Sequence, residues 1–107
     1  MTGIVQPLRY GDIGGSTPMY AIPRAGVSMS GTVGTTSAVI IPAGTYQNSV
    51  TVHNTSANTL NLSFNASAVA TDFKLAAGAS ITLPFGPSNA LSALGSAAGT
   101  TWAAIGA

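Results

Sequence analysis

Residues 47–65 read QNSVTVHNTSANTLNLSFN, and this stretch is the strongest indication of the fold. Within residues 47–54, Val50 and Val52 fall on one face of an extended chain and Thr51 and His53 on the other, which is typical of a strand with one buried face. Residues 59–65 alternate in the same way, so their two leucines and Phe64 are expected to point inward. Between them, residues 54–58 are turn-forming Asn, Thr and Ser. We therefore predict two strands joined as a hairpin by a loop longer than two residues.

Further short segments of β-type composition occupy most of the chain after residue 27. They lie at residues 37–41, 73–75, 79–85, 90–94 and 100–105. Turn residues separate them, including Ala-Gly pairs at 43–44, 77–78 and 98–99. The last two segments flank GSAAG and are expected to form a closing hairpin. A short helix over residues 89–98 is the alternative there, because Ala and Leu favour helices and Asn89 is a good N-cap.

This spacing predicts an all-β fold. We expect about seven or eight short strands in a compact antiparallel β-sandwich or small barrel. The predicted organisation is a single β-sandwich domain over residues 27–107, preceded by an extended N-terminal arm over residues 1–26.

The arm contains three prolines that would interrupt a strand ladder, yet it is rich in apolar residues. One interpretation is that it docks on a neighbouring subunit. The other is that it covers the domain's own core as an edge strand and loops. On the first interpretation the candidate partner-interface residues are Ile4, Val5, Leu8, Arg9, Tyr10, Ile13, Met19, Tyr20 and Arg24.

Charge is unusually sparse in this chain. Only 5% of its 107 residues are Asp, Glu, Lys or Arg, against a typical value of about 25%. Residues 75–107 contain no ionisable side chain at all. Because near-zero net charge promotes association, we expect a homo-oligomer, with a trimer as one arrangement. A net charge of +1 gives little attraction to phosphate, so nucleic acid is not an expected partner.

The final predicted strand, TTWAAI at residues 100–105, has no truly polar face. Trp102 and Ala104 would face one side, and Thr101, Ala103 and Ile105 the other. Strands of this type are usually covered on both faces. We therefore expect its second face to be covered, and another chain is the natural candidate.

The chain contains few residues that could support catalysis or bind a metal ion. His53 is the only histidine, and it is expected on the outer face of its strand as a surface or interface residue. Asp12 and Asp72 are the only carboxylates, and Asp72 is expected to form an exposed ion pair with Lys74. A small hydrolase with a Ser-His-Asp triad is the third-ranked interpretation. We expect no enzymatic activity, no cofactor and no metal.

Three further features bear on location and ligands. The chain has no cysteine, and its start lacks the basic-then-apolar pattern of a secretory signal. No apolar run approaches the roughly 18 residues of a membrane span, so no membrane partner is expected. Trp102 and the tyrosines at 10, 20 and 46 could line a sugar-binding surface, although aromatic residues more often serve core packing and interfaces.

The second half of the chain resembles small β-sandwich modules of tailed-phage virion proteins: capsid decoration or cement proteins and head fibres. The similar segments are HNTSAN (53–58), the Ala-Gly-x-Ser turn between Leu75 and Leu83, and ALSALGSAAGTTWAAIGA (90–107). The resemblance implies a virion structural protein, made in a host bacterial cytoplasm, with the major capsid protein or other virion subunits as partners. It transfers no catalytic residue. The alternative is a tail or fibre component that contacts host surface glycans.

Overall fold

The computed structural model describes residues 25–107, which form eight strands. The strands are β1 (Val27–Val33), β2 (Ala38–Ile41), β3 (Val50–Asn54), β4 (Leu60–Ser63), β5 (Phe73–Leu75), β6 (Ser80–Leu83), β7 (Leu91–Gly95) and β8 (Thr100–Gly106). No helix occurs in this part of the chain, so residues 89–98 do not form the alternative helix. The predicted interface residues of the arm, from Ile4 to Arg24, lie outside the described residues.

The strands form two four-stranded sheets that enclose one core. The first sheet has the order β1–β8–β3–β6, and the second has the order β2–β7–β4–β5. All pairings are antiparallel. The pairing is nested: β1 with β8, β2 with β7, β3 with β6, and β4 with β5. Two four-stranded sheets connected in this way make a jelly roll. The predicted all-β antiparallel sandwich is confirmed.

Both predicted hairpins are wrong, because the consecutive strands lie in opposite sheets. Strand β3 belongs to the first sheet and β4 to the second, and β7 and β8 are divided in the same way. The turn after β3 therefore carries the chain across the sandwich. Asn54, at the end of β3, is fully buried and fixes this crossing by donating hydrogen bonds to carbonyl oxygens of Asn58 and Leu75.

The core consists of the inward residues of both sheets. Trp102 at the centre of β8 is 4% exposed, and its indole ring lies against Gly31, where a Cβ atom would come within 3.1 Å of Nε1. The buried hydrophobic cluster comprises Val33, Ile40, Ile41, Tyr46, Val50, Val52, Leu60, Leu62, Leu75, Leu91, Ala93, Trp102 and Ala104. Alternation along β3, and at Leu60 and Leu62 of β4, thus predicted the inward side correctly.

The three Ala-Gly pairs are turns, as expected. Gly44, Gly78 and Gly99 have φ angles of 74°, 74° and 76°, a region that favours glycine. Two of these turns close with a backbone hydrogen bond, from Thr45 N to Pro42 O and from Ala79 N to Ala76 O. A positive φ at the third turn position is the mark of a type II turn.

Candidate interaction surfaces

The outer surface of the first sheet is a shallow depression of about 490 Å³ lined mostly by small, uncharged side chains, and we call it the open face. Cross-strand register aligns Ser28, Ile105, Thr51 and Thr82 in one row and Ser30, Ala103, His53 and Ser80 in the next. The hydroxyl oxygens of Thr51 and Thr82 are 2.9 Å apart, so some of the hydroxyl groups are already paired. Thr32, Thr55 and Thr101 extend the open face toward the far end of the sheet.

Ile105 is the large apolar side chain of the open face and is 63% exposed. Thr101 and Ala103 on the same strand are half-buried, whereas Trp102 and Ala104 point into the core. The sequence predicted that β8 would be covered on both faces. Among residues 25–107, however, no segment covers its outer side at Ile105. The described chain therefore leaves an exposed apolar side chain on a surface that lacks ionic groups.

The outer surface of the second sheet is different, because residues 64–72 lie across it. The Ser92 hydroxyl donates to the Asn65 carbonyl oxygen at 3.1 Å, and the Ser37 hydroxyl accepts a hydrogen bond from the Ala68 amide at 2.7 Å. Ala68 is only 3% exposed, and Asn61 beneath the segment is also buried. The chain thus covers much of one sheet with its own backbone and leaves the other sheet open.

A second candidate surface, which we call the phenylalanine cleft, opens between the two sheets where β5 and β6 form their edges. The cleft has a volume of about 330 Å³. Leu62, Leu83 and Leu91 contribute to its walls. The three phenylalanines of the chain lie at or near its mouth and are 40% (Phe64), 54% (Phe73) and 49% (Phe85) exposed. The rings of Phe64 and Phe85 contact each other at a centroid distance of 6.5 Å.

Phe64 corrects the sequence prediction, which placed it inside as part of a strand over residues 59–65. Strand β4 ends at Ser63, and the chain then leaves the sheet to cross its outer surface. Phe64 is therefore displaced from the inward row to the rim of the cleft. Phe73 does occupy an inward position opposite Leu62, but it lies on an edge strand and remains half exposed.

Asp72 and Lys74 are the only fully charged side chains between residues 25 and 107. Asp72 lies in the lining of the cleft, whereas Lys74 lies opposite Asn61 on the outer side of the second sheet. They do not form the predicted ion pair with each other. The Asp72 carboxylate accepts a hydrogen bond from the Val69 amide at 2.7 Å, and the Lys74 ammonium group donates to the Ala70 carbonyl oxygen. Each charge is thus tied to the turn at residues 69–72 instead of to the other charge.

His53 lies exposed on the open face, as predicted. Within residues 25–107 its side chain makes no hydrogen bond to a hydroxyl group, so the parts of a Ser-His-Asp triad are not brought together there. No group of three His, Cys, Asp or Glu side chains in the described ranges could hold a metal ion. In this same part of the chain, no helix is long and apolar enough to cross a membrane.

Two of the aromatic residues considered for sugar binding are in the core. Trp102 is 4% exposed and Tyr46 is 1% exposed. The Tyr46 hydroxyl donates to the Val27 carbonyl oxygen at 3.1 Å, and burial raises the pKa of this phenol above its usual value. Tyr10 and Tyr20 lie outside the described residues. Between residues 25 and 107 the exposed aromatic side chains are therefore the phenylalanines, which were not predicted to line a ligand surface.

No protein family, curated protein or solved structure matches this chain. The two surfaces above are consequently the basis for a functional interpretation.

Proposed function

We propose that this chain is a virion structural protein that decorates a phage capsid, binding the shell and stabilising it through contacts between subunits. The open face is the observation that supports this proposal. It spans four strands and carries no Asp, Glu, Lys or Arg. Residues at the centre of protein interfaces are similarly depleted in charge. A partner could bury the open face without desolvating an unpaired ion, which would otherwise be costly.

The asymmetry between the two sheets supports the open face as the surface that would meet the shell. Residues 64–72 already occupy much of the outside of the second sheet, held there by Ser92 and Ser37. The first sheet lacks such a cover within the described chain, and Ile105 provides an apolar anchor on one of its two central strands. The hydroxyl groups around Ile105 can donate and accept hydrogen bonds to a neighbouring surface in many orientations.

Shell stabilisation would then follow from repeated contacts. Burial of about 400 Å² of apolar area contributes on the order of 10 kcal/mol before the costs of association are subtracted. Many copies around a closed shell multiply the effect, because each bound copy must dissociate before its neighbours can separate. The mechanism requires no catalysis and no cofactor. It implies shell subunits as partners, self-association as a homo-oligomer, and residence in the virion after synthesis in a bacterial cytoplasm.

Jelly rolls occur in viral capsid proteins and in lectins, among others. This analogy of fold is compatible with the proposal, but it does not select it, since one fold serves many functions.

A glycan-binding tail or fibre component is the second candidate, and Phe85 is the observation that favours it. The Phe85 ring is 49% exposed, and the residue directly precedes the loop at residues 86–89. Sugars stack on aromatic rings but also need several hydrogen-bonding groups. The cleft beside Phe85 offers mainly Ser63 and Asp72 for this purpose. Binding to a panel of bacterial surface glycans would support this candidate over decoration.

The main proposal is tested by measuring how much of the chain is recruited to particles. The chain is produced together with the shell protein of its own virion, and particles are sedimented and assayed for bound chain. Ile105→Asp places a charge in the open face and is expected to reduce recruitment at least about tenfold. Val39→Asp is the matched control, since Val39 is a similarly exposed apolar residue (56%) on the second sheet.

Equal recruitment of the Ile105→Asp variant and the wild-type chain would contradict the role of the open face. Deletion of residues 2–24 tests the arm separately. If the arm anchors the chain, recruitment falls after this deletion; undiminished recruitment would exclude the arm as the anchor.

A further inference from the structure

We propose that the phenylalanine cleft is a contact surface for a second copy of this chain, related to the first by a two-fold axis. This inference concerns a different surface from the open face and names a different partner. It starts from the exposure of Phe64, Phe73 and Phe85, which are between 40% and 54% exposed. Contiguous apolar patches of this kind on soluble proteins mark interaction sites.

The position of the cleft suits pairing between identical chains. It opens beside β6 (Ser80–Leu83), an edge strand of the first sheet whose sequence, SITL, contains no charge and no proline. Natural edge strands usually carry such features to prevent pairing with another chain. Two copies of β6 placed antiparallel would join their first sheets into one continuous sheet. This arrangement uses the same surface on both chains, as a two-fold contact requires.

The free edge of β6 selects a second copy over an unrelated apolar partner. An identical strand placed antiparallel supplies backbone donors and acceptors that match those of this edge. Asp72 is the one charged side chain in the cleft lining, and its carboxylate already accepts a hydrogen bond from the Val69 amide.

The available area is adequate for such a contact. A free phenylalanine exposes on the order of 200 Å², so the exposed fractions of the three rings amount to roughly 600 Å² for two copies. Stable interfaces bury about 1,200–2,000 Å² in total. The β6 edges lie next to the cleft and would supply much of the remainder. A polar small molecule fits less well, because the cleft lining is almost entirely apolar.

The test is the solution mass of the full chain, measured by analytical ultracentrifugation from about 1 to 500 μM. We expect a reversible dimer of twice the 10.5 kDa chain mass. Phe73→Thr should raise the dimer dissociation constant about tenfold or more, as truncation of central interface aromatics does. Ile105→Thr is the matched control, because Ile105 is exposed to a similar degree (63%, against 54% for Phe73) but belongs to the open face; it should leave the dissociation constant unchanged.

Thermal unfolding of each variant verifies that it folds, and Phe85→Thr serves in place of Phe73→Thr if the latter does not. Three results would overturn the inference: a monomer at every concentration, a trimer, or a dimer that is weakened by Ile105→Thr and not by Phe73→Thr. A dimer lost in a full-length variant carrying Leu8→Ser, Tyr10→Ser, Met19→Ser and Tyr20→Ser would also overturn it, because the arm would then be the occupant. None of these results bears on recruitment to particles, which the Ile105→Asp variant reports independently.

Discussion

The side-chain amide of Asn54 donates a hydrogen bond to the backbone carbonyl oxygen of Leu75, 2.9 Å away, and thereby joins the two sheets. Asn54 ends β3 in the first sheet, and Leu75 ends β5 in the second. The same amide also donates to the Asn58 carbonyl oxygen at 2.7 Å, and the Asn54 Oδ1 atom accepts a hydrogen bond from the Ser56 amide at 3.0 Å. A single fully buried side chain thus holds the loop that carries the chain across the sandwich.

Replacement of Asn54 by alanine should therefore destabilise the fold strongly. The substitution leaves buried carbonyl oxygens and the Ser56 amide without their partner, and we expect the free energy of unfolding to fall by about 2–4 kcal/mol. Urea unfolding followed by circular dichroism measures this change. Asn89→Ala, at an exposed position, is the control and should stay within about 0.5 kcal/mol of wild type. Comparable losses for both variants would refute the special role of Asn54.

The second prediction concerns the close backbone packing at Gly86. A Cβ atom at residue 86 would overlap the backbone of Gln47. Gly86→Ala must therefore push two loops apart, at a cost of about 1–3 kcal/mol. Gly34→Ala is the matched control, because nothing lies within 4 Å of a Cβ atom at residue 34. We expect a lower thermal midpoint for the first variant only, and an unchanged midpoint for both would show that the 86–89 loop is loosely packed.

Because of Tyr46, the free energy of unfolding should depend on pH in the alkaline range. Burial raises the pKa of the folded phenol above its reference value of 10.0, which applies to the unfolded chain. The neutral phenol therefore contributes its full stability below about pH 10. Above that pH the unfolded chain releases its proton first, and the fold loses this stability as the pH rises through the folded pKa.

The measurement is urea unfolding of wild type and Tyr46→Phe between pH 8 and pH 11. At pH 8 the variant should be about 1 kcal/mol less stable, because the hydrogen bond to the Val27 carbonyl oxygen is lost. The difference should narrow toward pH 11. Tyr10 and Tyr20 remain in both proteins, so they do not account for the change. Parallel curves across this range would show that Tyr46 titrates normally.

Much of the fold was predictable because alternation is a local property. The valines of β3 and the leucines of β4 alternate with polar residues, and the structure buries each of them. The Ala-Gly turns were also recognisable, since a positive φ has a strong local preference for glycine. Strand existence and inward direction follow from such signals without knowledge of the partner strand.

Strand pairing was not predictable in the same way. The loop at residues 54–58 has the composition of a hairpin turn, but it links strands of opposite sheets because Asn54 bonds to Leu75, a residue distant in sequence. The phenylalanine cleft was missed for a related reason. Phe64 continues the alternation of β4, and only the crossing of residues 64–72 over the second sheet moves it to the surface. Both features depend on contacts between distant segments, which periodicity does not encode.

The central claim is that the open face is covered by other virion chains, and His53 tests it most directly. It is the only histidine and lies exposed in the middle row of that face. Diethyl pyrocarbonate acylates accessible histidines, and mass spectrometry locates the modified residue. We predict that His53 is modified in the free chain and protected in assembled particles. Equal modification of His53 in the free chain and in particles would contradict the account.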